Sequence, residues 1–81
     1  MPMLRDMHHG VEIEFVHAGH SRIAGTDLDV VLVSNGYWIV RKRDEPTVVV
    51  CKGYGKHNAL YRYARLMDAM EAGNRLPVGE H

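Results

Sequence analysis

The dipeptide Asn35-Gly36 constrains this chain more than any other feature, because a β-rich run stands on each side of it. Residues 28–33 read Leu-Asp-Val-Val-Leu-Val and residues 37–43 read Tyr-Trp-Ile-Val-Arg-Lys-Arg. Asn-Gly best accepts the two positive φ angles of a type I′ turn, so these runs predict a hairpin with a two-residue loop. Such a loop sets the register. Ser34 falls opposite Tyr37, Val33 opposite Trp38, Leu32 opposite Ile39, Val31 opposite Val40, and Asp29 opposite Lys42. Both sides of that hairpin carry large apolar groups, and one helix can cover only one of them.

The remaining elements follow from periodicity. Residues 11–17 alternate, with Val11, Ile13 and Phe15 on one side and Glu12 and Glu14 on the other, which predicts a half-buried strand. Residues 18–26 read as a connection. Asp44-Glu45-Pro46 predicts a turn, with Pro46 fixing φ, and the β-branched run 47–52 predicts another strand. Residues 56–72 carry Ala59, Leu60, Tyr63, Ala64, Leu66, Met67 and Met70 at helical spacing. Gly73-Asn74 and Pro77 end that pattern. Residues 1–10 and 74–81 read as loose ends of a single domain spanning 1–81.

The expected fold is α+β: a four-stranded antiparallel sheet with one C-terminal helix packed on one face. In that register the helix covers Val11, Ile13, Phe15, Leu28, Val30, Leu32 and Ile39. The other face presents Glu12, Glu14, Val31, Val33, Trp38, Val40 and Lys42. The exposed face of an antiparallel sheet is normally polar, so an apolar cluster around a tryptophan predicts an interface.

Net formal charge is zero with histidines neutral, but the signs are segregated. Asp6, Glu12, Glu14, Asp27 and Asp29 outnumber Arg5 and Arg22 in residues 1–30. Arg41, Lys42, Arg43, Lys52, Lys56, Arg62 and Arg65 outnumber Asp44 and Glu45 in residues 41–65. This polarity predicts directed encounter with a charged partner rather than general adhesion to a polyanion. One cysteine, Cys51, precludes an internal disulfide and fits a reducing cytoplasm. No run approaches the roughly 20 apolar residues of a membrane span.

Catalytic chemistry finds little footing. Cys51 lies within an apolar strand, and Ser21 and Ser34 lack a base-and-orienter chain. Glu12 and Glu14 share a strand face, which suits an acidic, partner-facing stripe better than an acid–base pair. His8, His9, His17 and His20 crowd the first twenty residues, and His17-Ala-Gly-His20 has ligand-like spacing. Zinc needs three or four ligands and no second cluster accompanies them, so no metal and no cofactor is assigned. The loop Lys52-Gly53-Tyr54-Gly55-Lys56, before the helix, offers phosphate contact together with Arg62 and Arg65 on the helix, but does not match a nucleotide-hydrolase loop.

From Ser34 to Met67 the pattern Gly36-Tyr37-Trp38-Ile39-Val40-Arg41, Asp44-Glu45-Pro46, Val48-Val49-Val50, Gly53, Ala59, Tyr63 and Ala64 resembles a small DNA-binding domain. That domain is shared by plant ethylene-response factors and the arm-binding segment of phage-type integrases. The resemblance implies a three-stranded sheet whose face away from the helix enters the major groove, with Trp38, Val40 and Lys42 on the DNA. In size and style the chain is also similar to small inhibitors encoded by phages and mobile elements, such as anti-CRISPR proteins, which cover a surface of a larger complex.

These readings converge on a cytoplasmic, non-enzymatic binding protein acting through the face around Trp38. Its contact residues are Val31, Val33, Trp38, Val40, Arg41, Lys42, Arg43, Glu12 and Glu14. The expected partner is a larger protein or ribonucleoprotein complex, with a nucleic acid as the alternative and weak homodimerisation a further expectation.

Overall fold

The computed structural model of the protein describes residues 4–75. Six strands form one antiparallel sheet in chain order: β1 (Arg5–His8), β2 (Val11–His17), β3 (His20–Ile23), β4 (Leu28–Ser34), β5 (Tyr37–Lys42) and β6 (Val49–Tyr54). A single helix, α1 (Lys56–Arg75), follows and packs on one face. The class is the expected α+β arrangement, but the sheet has six strands rather than four. The two additional strands lie in segments that read as a loose lead-in and a connection. β1 forms because His9-Gly10 makes a tight turn with positive φ at both residues, 52° and 78°, pairing His8 with Val11. β3 is four residues long, too short for alternation to register in the sequence.

The Asn35-Gly36 turn forms where expected, but with a different geometry. Only Gly36 has positive φ, at 67°; Asn35 does not. Unlike a type I′ turn, this one does not match the strand twist, and the ladder accommodates it with a bulge. Pairing runs Ser34–Tyr37 and then Leu32–Trp38, leaving Val33 as the extra residue. Every pair below shifts by one: Val31–Ile39, Val30–Val40, Asp29–Arg41 and Leu28–Lys42.

A one-residue slip exchanges the faces of a strand. Val40 is therefore fully buried opposite Val30 under the helix, and Trp38 packs against the same core. Both were expected on the open face. Lys42 goes with them to the helix side, opposite the core-packed Leu28, while Ile39, expected under the helix, stands on the open face opposite Val31.

The core is Ile13, Ile23, Val30, Val40, Ala59, Leu60 and Tyr63. A fully buried aliphatic side chain contributes about 1.5–3 kcal/mol, so Val30, Val40 and Leu60 are its main apolar contributors. Gly53 lets the helix approach. A Cβ there would stand 3.2 Å from the Ala59 backbone nitrogen. Leu66, at the edge of the helix face that enters the core, and Met70, beyond the last core contact at Met67, remain exposed despite their helical spacing. It also continues through Gly73 to Arg75, past the expected stop; residues 76–81 lie outside the described residues. Phe15 and Leu32, on the helix side but beyond its reach, are 45% and 44% exposed. Among the described residues no helix is long and apolar enough to cross a membrane.

Candidate functional site

The open face of the sheet is built by two rows of cross-strand neighbours. One runs Arg5, Glu14, Arg22, Asp29, Arg41, with the sign of charge alternating at every strand. Opposite charges directly across a ladder add about 0.2–1 kcal/mol per pair and penalise slipped registers. The second row runs His20, Val31, Ile39, Lys52. Tyr37 and Tyr54 close the β5–β6 end, their ring centroids 4.8 Å apart and Tyr54 72% exposed.

The acids of this face are engaged. Arg5 reaches Glu12 at 3.1 Å and Glu14 at 3.2 Å. Asp29, 4% exposed, accepts from Arg43 Nε at 2.9 Å and lies 2.8 Å from His20 Nε2. Burial pushes the Asp29 carboxyl up, but the bonds from His20 and Arg43, with the Arg43 charge, outweigh it and hold the carboxyl below its ordinary range. Arg43 also donates to the carbonyls of Thr26 and Leu28, so it fastens the β3–β4 turn. Among the described residues Arg22, Arg41 and Lys52 have no ion-pair partner, and Arg22 Nε is buried without a hydrogen bond.

The residues expected at the interface thus divide. Val31, Val33, Arg41, Glu12 and Glu14 belong to the open side, with Val31 flush between its neighbours and Val33 prominent at the bulge. Trp38 and Val40 do not. Lys42 pairs with Asp27 at 3.6 Å and Glu45 at 3.7 Å, and Arg43 is held by Asp29.

The residues expected at a phosphate do not converge either. Lys52 stands on the open face, whereas Lys56 Nζ turns to the helix side, donating to Ser21 Oγ at 2.8 Å and lying 5.6 Å from the Trp38 ring centroid. Burial lowers the Lys56 pKa, with Asp6 opposing that fall. The Gly55 amide donates to the Gly36 carbonyl and the Ala59 amide to the Gly55 carbonyl, so two N–H groups of this turn are already used. Gly53 is buried against the helix, and Arg62 and Arg65 are exposed on its outer face. Cys51 is half-buried, its thiol pushed up by burial and donating to the Ala59 carbonyl, which makes it a poor nucleophile.

Three histidines meet where the helix begins. His57, in the first turn of α1, contacts His8 and His9 at the β1–β2 turn. His57 was no member of the histidine group legible in the sequence, because it joins only when the helix folds back. Among the described residues no three His, Cys, Asp or Glu side chains converge on one centre suited to a metal ion. No family model, curated protein or solved structure matches this chain.

Proposed function

We propose that this protein is a non-enzymatic binding protein that engages a larger protein or ribonucleoprotein complex with the open face of its sheet. It acts by occluding that partner, in the manner of a small phage or mobile-element inhibitor. The observation that carries the reading is the composition of that face. Glu12 and Glu14 lie on β2, Asp29 on β4 is held by Arg43, and Arg41 and Lys52, without ion-pair partners among the described residues, lie toward β5–β6, with Val33, Ile39, Tyr37 and Tyr54 between or beside them. A face of mixed sign with apolar and aromatic groups matches a protein surface better than a uniform polyanion. The contact set differs from the one centred on Trp38, because Trp38 and Val40 serve the core.

The test uses the complex recovered with the tagged protein. Titrating isotope-labelled protein with that complex should shift resonances on the open face. Arg41→Glu with Lys52→Glu should weaken affinity at least about tenfold, mostly through association rate, while Arg62→Glu with Arg65→Glu on the helix should leave it unchanged. Inhibition should saturate at a fixed ratio. Shifts mapping to the helix, or one molecule acting on many targets, would overturn the reading.

A second reading, a DNA-binding module, draws on the exposed Tyr54 ring packed against Tyr37, with Lys52 two residues before it, since an exposed aromatic ring flanked by a cation suits stacking and phosphate contact. A steep loss of DNA affinity between about 50 and 200 mM salt would favour it.

A further inference from the structure

The histidine cluster is a different feature on the opposite side of the molecule. His8 Nδ1 and His57 Nδ1 lie 3.3 Å apart. His8 Nε2 lies 3.2 Å from Asp6 Oδ2. The Met7 backbone N–H donates to Asp6 Oδ1, which holds the carboxylate in place. An ionised carboxylate accepts only, so it draws the His8 proton to Nε2 and leaves Nδ1 as the lone-pair nitrogen facing His57. A tautomer fixed from behind by a carboxylate is the usual second shell of a metal-binding histidine. Two bonds of about 2.0–2.1 Å opening at the tetrahedral angle set their nitrogens about 3.3 Å apart, matching this pair.

We infer that His8 and His57 form a clamp for an imidazole-preferring divalent transition ion, such as Zn2+ or Ni2+, that ties the β1–β2 turn to the start of α1. The ion takes the place of the proton held between the two Nδ1 atoms, and that proton moves to His57 Nε2, which then donates to His9 Nε2. His9 Nε2 lies 2.8 Å from His57 Nε2, on the other edge of the ring, so it does not share this centre. Two protein nitrogens and water therefore make up the coordination, and affinity is modest. The positive end of the α1 dipole opposes a cation here, and the Asp6 carboxylate offsets it. The clamp joins elements that otherwise touch little, β1 and α1, so occupancy adds stability by mass action.

Thermal melts of the full chain with ZnCl2 or NiCl2 test this. Either ion should raise Tm, and MgCl2 should not. The rise should vanish in His8→Ala and in His57→Ala and persist in His17→Ala. Asp6→Asn should weaken the dissociation constant about tenfold or more. Far-UV circular dichroism checks that each variant is folded. Independently, imidazole resonances of the unmodified protein titrated with Zn2+ should change first at His8 and His57. No rise in Tm, a rise that survives in the His8→Ala, His57→Ala double variant, or changes that begin at His17 and His20 overturns the clamp.

Discussion

Leu32 stands opposite Trp38 across the β4–β5 pair, with Val33 bulged out beside it. That single displaced residue turns Trp38 and Val40 toward the helix and Ile39 and Arg41 toward solvent. It therefore determines which side chains a partner can meet.

Trp38→Ala should act on stability. The ring packs against the core and lies beneath the Lys56 ammonium, so its loss should cost about 2–4 kcal/mol. Urea denaturation should show a lower midpoint. An unchanged midpoint with lost partner binding would return Trp38 to the contact face.

Asp29 should govern the acid limb of stability. Its carboxyl is depressed in the folded protein, so its contribution is complete above the unfolded value of about 3.9 and is lost as pH falls through the folded value. Asp29→Asn should flatten that limb and cost about 2–3 kcal/mol at neutral pH, since Arg43 and His20 lose a shared, nearly buried acceptor. Denaturation midpoints from pH 2 to 7 would show both effects.

Lys56 and Ser21 should be coupled. Ser21 is fully buried and its hydroxyl accepts from Lys56 Nζ. Lys56→Met should cost about 1–2 kcal/mol by leaving that hydroxyl unpaired, and adding Ser21→Ala should restore part of it. Because burial depresses the Lys56 pKa in the folded state, stability contributed by this residue should rise as pH climbs through that value toward the unfolded one. Additive costs in a double-mutant cycle would disprove the coupling.

Gly53→Ala should separate helix from sheet. The new Cβ would meet backbone atoms of Asn58 and Ala59 at 3.2–3.4 Å, which cannot rotate away as a side chain can. A cost of about 1–3 kcal/mol, with faster amide exchange at Ala59 and Leu60, is expected. Unaltered exchange there would show that the helix is not held by this approach.

Elements whose signals are local were legible in the order of residues alone. The alternation of Val11, Ile13 and Phe15 marked β2 at its observed bounds, and the spacing of Ala59, Leu60 and Tyr63 marked the helix face that enters the core. The paired apolar runs around Asn35-Gly36 marked β4 and β5. Tertiary structure decided what depends on register and on distant partners. The conformation of Asn35 and the Val33 bulge rest on small differences in backbone energy, yet they exchange whole strand faces, because side chains alternate with period two. β1 and β3 are short and polar, and they exist because the neighbouring strands supply their hydrogen bonds and the ladder from Arg5 to Arg41 fixes their register. His57 reaches His8 and His9 across nearly fifty residues only because the helix, once packed on the sheet, begins beside the β1–β2 turn.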